Sequence, residues 1–516
     1  MDSINVIDFG SQYTQLIARK VREQKVYCQI VSCTAGTKKI LSGDPQGLIL
    51  SGGPSSVYDK NAPRISKEIF SPGLPVLGIC YGMQLMALLL GGKIHRSRER
   101  EYGQATLYMK AEGRRQNTKL FQGVPSQSQV WMSHGDSVQK LPSRFVPIAS
   151  TANCRVAAMA DADRKIYGLQ FHPEVNHTDQ GRKIISNFLF QVCRCQGDWT
   201  TDSIIEQLVK DIRQKTGNSK IVLGISGGVD SSVAAVLISR AVGKHLHCIF
   251  VDNGLLRLNE RAEVERVFKK RFKIPLMTVD ASNRFYQKLK GVEDPEQKRK
   301  IIGKEFVEVF AGAAQKIGSV GFLAQGTIYP DVIESVSFKG PSATIKSHHN
   351  VGGLPRNMRN LKLVEPLREL FKDEVRQLGL SLGLPRDMVM RHPFPGPGLA
   401  VRVLGEVTKE RCDTLRAADR IFIDEIKAAN WYGKISQALA VLLPVKAVGV
   451  MGDERTYQNV LALRAVNTTD FMTAEWTRLP EDLLAKVSSR IVNEVRGINR
   501  VVYDISTKPP ATIEWE

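Results

Sequence analysis

Short apolar runs that end in glycine-rich turns recur along the first part of the chain. Four of them are Ile4–Ile7, Gly47–Leu50, Val76–Ile79 and Ile166–Phe171. Apolar runs of this length, bounded by turn residues, are typical of the buried strands of an α/β sheet. The pattern therefore predicts an α/β domain in this part of the chain.

A second series of strand, turn and helix begins after a polar loop. Gln196–Ser203 supplies loop residues and a helix N-cap ahead of an amphipathic stretch. The strand Lys220–Ile225, a helix from about Ser231 to Ala241 and the strand Leu246–Val251 then predict a β-α-β unit. We place a domain boundary in the polar loop.

A proline-glycine stretch interrupts the pattern again at Pro393–Gly398. Such a stretch continues neither a helix nor a strand, so it marks either a second boundary or an ordered active-site loop.

Length and composition agree with a multidomain globular protein. The chain has 516 residues, which at about 150 residues per domain suggests three or four domains. Hydrophobic residues make up 42% and charged residues 24%, which argues against disordered, collagenous and coiled-coil proteins. The chain has no apolar stretch long enough to cross a bilayer and no signal-peptide pattern at its start, so we expect a cytoplasmic protein without a membrane partner.

The cysteine spacing and the net charge rule out fewer classes of protein than the composition does. Eight cysteines occur without the C-x-x-C pairs of zinc or redox sites, and we expect most of them to be buried thiols. The formal net charge of +20 would attract polyanions but identifies no partner. The basic clusters lack the interleaved aromatic residues of single-strand binding surfaces, so a nucleic-acid partner is not expected.

A cysteine lies on a predicted strand-turn-helix segment. The strand that ends at Ile79 is followed by Cys80 between Gly78 and Gly82, and then by a helix. This Gly-x-Cys-x-Gly spacing is that of a nucleophile elbow, in which the helix start stabilises a thiolate. Most lone cysteines in apolar segments are only buried, but the two glycines favour a nucleophile here.

A base and its orienting partner follow another apolar run, as His172 and Glu174. We expect their side chains to share a face at the strand end, although each residue alone has an ordinary structural explanation. Ser51–Pro54 follows a further strand, and it is either an oxyanion hole of backbone amides or a plain turn.

These segments together resemble the class I glutamine amidotransferases. The resemblance rests on Asp8–Gln12, Ser51–Pro54, Gly78–Gln84, His134–Ser137 and Phe171–Glu174. It implies that Cys80 is the nucleophile that releases ammonia from glutamine, His172 the general acid and base, and Glu174 its orienting partner. It also implies that the amides of Gly53 and Tyr81 form the oxyanion hole.

A phosphate-binding turn follows the strand Ile221–Ile225. Its residues are Ser226, Gly227, Gly228, Val229, Asp230, Ser231 and Ser232. Glycine amides, hydroxyls and a helix N-terminus suit an anion, and the absence of a Gly-Lys-Ser/Thr signature argues against γ-phosphoryl transfer. A generic glycine turn is the alternative for the Gly-Gly pair alone.

The whole turn resembles the pyrophosphate loop of the N-type ATP pyrophosphatases, which adenylylate a substrate. We expect Val251, near the carboxyl edge of the next strand, to help seat adenosine. Asp331 and Glu334 are candidates for holding Mg²⁺ on the ATP phosphates, with Asp331 the metal ligand. For Lys346, His348 and His349 the resemblance favours a mobile cationic lid over phosphate rather than metal ligation by the adjacent histidines. No organic cofactor is expected.

The tail identifies the acceptor. Arg391–Leu399 and the ending Asn499–Glu516 resemble the bacterial, single-chain type of glutamine-hydrolysing GMP synthetase, and the resemblance covers essentially the whole chain. It implies XMP, ATP and glutamine as substrates, with amination at carbon 2. The positions that match XMP-binding residues are Gln437, Arg500, Lys508, Ile513 and Glu514.

The resemblance also implies an α/β protein of three domains. They are a class I glutamine amidotransferase domain over residues 1–196, a doubly wound α/β ATP pyrophosphatase domain over 200–391, and an α+β dimerisation and XMP-binding domain over 392–516. The apolar run Ala438–Leu443 would support a homodimer.

Two other classes share some of these features. Enzymes that thiolate tRNA or make lysidine use the same loop, and +20 would help to hold RNA, but a glutaminase domain would have no purpose there. A basic, non-catalytic nucleic-acid-binding regulator is the second alternative, and it predicts no glutamine-dependent release of AMP.

Overall fold

The computed structural model describes residues 2–71, 73–110, 119–335, 360–451, 454–468 and 471–516. The chain forms two compact units, Met1–Ile204 and Ile205–Glu516. The second unit contains both the predicted pyrophosphatase and dimerisation domains, and the proposed limits at residues 196, 200 and 391 stay predictions. None of the described helices is both long and apolar enough to span a membrane.

The first unit is built on a nine-stranded sheet with the order β2-β1-β3-β4-β9-β8-β7-β5-β6. Its strands are β1 Ser3–Asp8, β2 Tyr27–Ser32, β3 Gly47–Leu50, β4 Val76–Ile79, β5 Lys93–Met109, β6 Gln127–Lys140, β7 Val146–Ser150, β8 Ala158–Asp161 and β9 Ile166–Leu169. The strands from β2 to β9 in this order are parallel, and the remaining pairs are antiparallel.

Helices cover this sheet. They are α1 Thr14–Arg22, α2 Thr37–Ile40, α3 Tyr81–Leu89 and α4 Gly181–Ser186, which continues as a π-helical turn over Asn187–Val192. Strands β3, β4 and β9 are buried along their whole length, as expected for parallel strands covered on both faces. Since they are parallel neighbours, the loops after them emerge side by side at one edge of the sheet.

The second unit begins with a doubly wound α/β layer. Five parallel strands have the order β12-β11-β10-β13-β14. They are β10 Ile221–Ile225, β11 Leu246–Asp252, β12 Leu276–Asp280, β13 Phe322–Ala324 and β14 Lys362–Val364. Its helices are α5 Thr201–Thr216, α6 Val229–Val242, α7 Glu260–Glu265 with a π-helical continuation over Arg266–Arg271, α8 Ser282–Leu289, α9 Pro295–Gln315, α10 Tyr329–Ser335, α11 Lys372–Ser381 and α12 Arg386–Val389.

An α+β layer follows in the same unit. Its elements are α13 Lys409–Ala428, β15 Gln437–Met451, β16 Glu454–Asn467, β17 Glu475–Trp476, α14 Glu481–Glu494 and β18 Ile498–Tyr503. Strand β16 pairs antiparallel with β15 and β17 and parallel with β18. Short 3₁₀ turns lie at Cys33–Ala35, Lys67–Phe70, Lys119–Phe121, Gly243–His245, Gly398–Val401 and Tyr432–Lys434.

Three local expectations need correction or refinement. The run Ala438–Leu443, which we expected to support a dimer, lies on β15 with Ala438–Leu442 inside the hydrophobic core of the unit. Helix α6 begins at Val229 rather than near Ser231, because Gly228 already has the extended backbone of an N-cap. The stretch Pro393–Gly398 is an ordered loop within the second unit, where Leu399 N–H donates to Leu255 C=O.

Candidate functional site

The first site is built on the turn between β4 and α3. Cys80 has φ +50° and ψ −108°, a conformation that L-residues seldom adopt and that is tolerated where surrounding structure enforces it. A Cβ on Gly78 would lie 2.7 Å from the Met83 nitrogen, and one on Gly82 would lie 2.4 Å from the Leu50 carbonyl oxygen. Both glycines are therefore required for the strand and the helix to meet at this angle.

A histidine and a glutamate lie beside the thiol. The loop after β9 places the His172 imidazole near the Cys80 thiol, which helps to raise the imidazole pKa, and His172 Nδ1 lies 2.7 Å from Glu174 Oε1. All three side chains are buried. Strand β9 ends at Leu169, so the two side chains meet across a turn and not, as we expected, on one strand face.

The electrostatics of this trio favour a charged imidazole. Burial lowers the pKa of His172, but the Glu174 carboxylate and the adjacent Cys80 raise it more, and the net pKa is well above the ordinary value. A charged imidazole can donate a proton to a group that leaves when the Cys80 sulfur attacks. The arrangement therefore suits a nucleophilic sulfur with an attached proton donor.

Gly53 and Tyr81 lie next to each other, as an oxyanion hole requires. A Cβ on Gly53 would lie 3.2 Å from both the Tyr81 ring and the Phe9 carbonyl oxygen, so a larger residue would require these neighbours to move by a few tenths of an ångström. Tyr81 opens helix α3, where backbone N–H groups have no partner within the helix. No measured contact tests the role of either amide, and the assignment stays a prediction.

Several neighbours of the trio had no role in the sequence interpretation. The Tyr13 ring meets the His172 ring edge-on at 5.1 Å. Thr178 Oγ1 donates to His172 C=O at 2.6 Å and accepts from Trp131 N–H at 3.0 Å. Tyr13 and Trp131 are 159 and 41 residues from His172 in the sequence, so only the folded structure shows that they lie near it. Thr178 is six residues after His172 but belongs to no recognisable motif.

The segment His134–Ser137 is tied to the same turn. Gln84, from the Gly-Met-Gln sequence of α3, donates its Nε2 to Asp136 C=O at 2.7 Å. The Asp136 carboxylate accepts from Ser56 Oγ at 2.5 Å. In addition, Cys80 Sγ lies 3.5 Å from the Ser133 carbonyl oxygen, to which it donates. Strand β6 thus forms one wall of the site.

The second site is the loop between β10 and α6. Ser226 Oγ lies 3.1 Å from Ser231 Oγ, and Ser232 Oγ donates to Gly228 C=O at 2.8 Å. Gly227 has φ +77°, and a Cβ there would lie 2.8 Å from the Glu260 carboxylate. The predicted loop residues therefore form one hydroxyl-lined turn at the start of a 14-residue helix.

This loop lies at the switch point of the parallel sheet, where open α/β folds bind ligands. Strands β10 and β13 are neighbours, and a Cβ on Gly326, after β13, would lie 2.9 Å from the Ser231 nitrogen. Val251 lies at the end of β11, one residue beyond the partner of Ile225. Predicted ATP residues from three segments thus share one edge.

A lysine reaches into this edge from helix α11. Lys372 Nζ lies 2.6 Å and 2.9 Å from the two carboxylate oxygens of Asp230. It follows Phe371 in the sequence Leu-Phe-Lys-Asp-Glu and carries no signal that the sequence interpretation used. A lysine from elsewhere in the unit therefore lies beside this loop, which has no lysine of its own.

The metal candidates Asp331 and Glu334 belong to helix α10, and the lid candidates follow it in the sequence. Asp331 lies in the first turn of α10, and its carboxylate accepts from Ile328 N–H at 3.1 Å. The side chain of Glu334 and all of Lys346, His348 and His349 lie outside the described residues. Their proposed roles stay predictions.

The predicted XMP residues divide into two groups. Gln437 Nε2 donates to Glu514 Oε1 at 2.7 Å, and the fully buried Arg402 binds the same carboxylate through two donors, at 2.8 Å and 3.0 Å. Ile513 is buried beside Glu514. Arg500 is exposed on β18, and Lys508 donates from its Nζ to Phe471 C=O at 2.7 Å.

A cavity of about 500 Å³ is connected to the Glu514 cluster through Asp419, which lines the cavity and lies 3.9 Å from Arg402. Arg257, which lines the cavity, lies over the Phe394 ring at 4.3 Å, and Arg402 approaches the same ring at 5.0 Å. Other lining residues are cationic, acidic or aromatic: Arg391, Arg416, Arg420, Asp419 and Tyr432. The proline-glycine stretch signalled Phe394, but no local pattern signalled Arg257 or Arg402.

Comparisons with known proteins cover the same three parts of the chain. Family models match residues 5–192 as glutamine amidotransferase class-I, 202–296 as NAD synthase and 424–515 as GMP synthase C terminal domain. The chain is 59% identical over 522 residues to a GMP synthase [glutamine-hydrolyzing] of Azoarcus sp. (strain BH72), covering 99% of each chain. It is 58% identical over 513 residues to that of Acetivibrio thermocellus, again covering 99% of each.

These relatives match the whole chain, and the family models match the amidotransferase fold, the phosphate-loop unit and the tail separately. The chain therefore belongs to the glutamine-hydrolysing GMP synthase family.

Proposed function

We propose that the chain makes GMP from XMP, ATP and glutamine. The observation that carries this proposal is the presence, on one chain, of a buried Cys80–His172–Glu174 trio and a lysine-free phosphate loop that ends in Asp230 to Ser232. The first releases ammonia from an amide, and the second activates an oxygen through its adenylate. An adenylated purine oxygen is then displaced by that ammonia.

In the first step, the Cys80 thiolate attacks the side-chain amide carbon of glutamine. The amide oxygen becomes an oxyanion that the Gly53 and Tyr81 amides stabilise. His172 donates a proton to the departing nitrogen, which leaves as ammonia, and a glutamyl thioester remains. The imidazole then takes a proton from water, whose oxygen attacks the thioester and releases glutamate and the thiolate.

Glu174→Gln tests the electrostatic role of the carboxylate. Because Glu174 raises the pKa of His172, the amide should lower that pKa, and the proton donor should be lost at a lower pH. We expect glutamine-dependent kcat to fall by roughly two to four orders of magnitude. The alkaline limb of its pH profile should also move to lower pH. Glu68→Gln, at an exposed glutamate of the same unit, is the control, and an unshifted profile would contradict the assignment.

In the second step, the oxygen on carbon 2 of XMP attacks the α-phosphorus of ATP and pyrophosphate leaves. The loop amides and hydroxyls from Ser226 to Ser232 hold the pyrophosphate, with Lys372 beside them. Ammonia then attacks carbon 2 and AMP departs. Mg²⁺ on the ATP phosphates would neutralise charge during this step, and the Asp331 carboxylate is a suitable oxygen ligand at the same edge of the sheet.

The Glu514 cluster supports a purine-binding role. Arg402 and Gln437 already make three hydrogen bonds to the carboxylate. Since a carboxylate has about four acceptor positions, one remains for a purine N–H group. The two hydrogen bonds from buried Arg402 also hold the Glu514 carboxylate in a fixed orientation. Arg500 and Lys508 then supply positive charge for the monophosphate.

A homodimer is supported by a hairpin rather than by the buried run that we first expected. Val448, Val450 and Tyr457 are 59%, 74% and 66% exposed on β15 and β16, and Val448 and Tyr457 are cross-strand partners. The other face of this hairpin is partly covered, because Asn499 Nδ2 donates to Ala447 C=O at 2.8 Å and lies against Gly449. An exposed apolar sheet face of this kind suits a second copy of the chain.

The double variant Val448→Glu, Val450→Glu tests this face. Placing four charges in a two-fold interface should convert a dimer to monomer, measured as a halved mass by light scattering after size exclusion. Leu380→Glu, at an exposed leucine on α11, should leave the mass unchanged. A dimer that survives the double substitution would place the interface elsewhere.

The overall assignment is tested by incubating the purified protein with ATP, magnesium, glutamine and XMP and separating the nucleotides. GMP and AMP should appear in equal amounts, and only when XMP is present. AMP release that requires tRNA instead would favour the RNA-modifying alternative. We also propose a cytoplasmic location, since all eight cysteines are free thiols.

A further inference from the structure

Three different metal-binding side chains gather next to the glutaminase wall. Glu101 on β5 and His134 on β6 are direct cross-strand partners, and Cys154 lies in the turn between β7 and β8. One ligand atom from each of the three lies within 4.8 Å of the other two. His134 Nε2 is 3.2 Å from the Glu101 carboxylate, so the polar ends face one another.

The cluster is buried, and Lys110, a cation on the Cys154 side, donates from its Nζ to Arg155 C=O. The side chains of Glu101 and His134 are 11% and 6% exposed, and Cys154 is 2% exposed. Thr151 Oγ1 donates to Glu101 at 3.0 Å, and among the described residues no lysine or arginine pairs with this carboxylate. A buried carboxylate without a counter-charge is costly. A divalent cation bound by one carboxylate, one thiolate and a neutral imidazole would leave the site uncharged.

The donor set selects the kind of metal. Sulfur and imidazole ligands suit Zn²⁺ and exclude Mg²⁺, which takes oxygen ligands. Zinc ligands lie about 2.0–2.3 Å from the ion, so tetrahedral ligands lie about 3.3–3.8 Å apart. Closure of the present cluster by roughly 1 Å reaches that spacing, and the fourth position is left for water or an external ligand.

We propose that Glu101, His134 and Cys154 form a zinc site in the first unit. The ion links β5, β6 and the turn before β8. Its ligand His134 directly follows Ser133, whose carbonyl oxygen accepts a hydrogen bond from the Cys80 sulfur. Zinc binding at this position stabilises the first unit and the strand that forms the wall of the glutaminase.

Cobalt is a suitable probe because Zn²⁺ has no visible spectrum. The Cys80→Ala protein is used, so that a sulfur-to-cobalt band cannot come from the catalytic thiol beside His172. After removal of metal by a chelator, Co²⁺ should bind with one equivalent per chain and give a sulfur-to-cobalt charge-transfer band with intense tetrahedral bands. Zn²⁺ should displace it and raise the thermal transition of the first unit. Absence of the sulfur band would overturn the proposal.

Two further variants in the same background assign the ligands. Cys154→Ser should remove the charge-transfer band, whereas Cys195→Ser, at a buried thiol elsewhere in this unit, should retain it. Glu101→Gln keeps the size of the side chain but removes a charged ligand. It should weaken cobalt affinity at least about tenfold, since substitutions of groups that only support metal ligands already cost that much. A band that persists in Cys154→Ser, or unchanged affinity in Glu101→Gln, would refute the site. Should Cys154→Ser fail to fold, the Glu101→Gln titration decides.

Discussion

Replacing Cys80 with alanine should abolish glutamine-dependent GMP synthesis while synthesis from ammonium salts continues. The thiolate is the nucleophile of the first step, and loss of such a residue lowers kcat by roughly four to six orders of magnitude. The second unit, Ile205–Glu516, contains the described residues that we propose for ATP and XMP and none of the glutaminase trio. With ammonia supplied directly, its reaction requires no sulfur, so the two activities should separate completely.

The measurement is GMP formation with glutamine and with ammonium chloride in parallel. Cys33→Ala is a matched control, since Cys33 is a free thiol of the same unit with the same 6% exposure as Cys80. It should retain both activities. Equal loss of both activities in a folded Cys80→Ala protein would show that the thiol does more than supply nitrogen.

Replacing Asp230 with asparagine should stop the reaction with either nitrogen donor. The carboxylate holds Lys372 beside the phosphate loop through two short contacts, and an amide cannot form that ion pair. Loss of a preorganised charge at the reacting phosphate costs roughly two to three orders of magnitude in kcat. XMP-dependent exchange of labelled pyrophosphate into ATP measures the adenylylation step alone and should fall equally.

Asp211→Asn is the control for this substitution. Asp211 is an exposed aspartate on α5 that accepts from Gln207 within its own helix. Glutamine hydrolysis by Asp230→Asn, measured as glutamate, reports whether the first unit remains folded. Undiminished AMP formation would remove Asp230 from the ATP site.

The parts of the site that sequence predicts are those whose chemistry is local. Cys80 needs glycines two residues before and after it, because the backbone turn leaves no space for a side chain there. The phosphate loop likewise needs its hydroxyls and glycines within seven residues. Such requirements leave a recognisable sequence pattern, and the structure has a strand-turn-helix segment at each of the two predicted positions.

Long-range contacts leave no such pattern. Arg402 and Glu514 are 112 residues apart, and Lys372 and Asp230 are 142 residues apart. In the sequence, Arg402 and Lys372 look like ordinary surface charges, and only the folded structure shows that each is paired with a carboxylate. The run Ala438–Leu443 was wrongly predicted to support a dimer interface, because an apolar run fits a hydrophobic core and an interface equally well.

The sequence alone thus determined the family, the two chemistries and the residues of each turn, because backbone geometry at a tight turn constrains adjacent residues. Only the tertiary structure shows which charged and polar side chains contact one another. It places Arg402 on Glu514, Lys372 on Asp230, and Glu101 with His134 and Cys154, since burial and pairing depend on the packing of strands far apart in the chain.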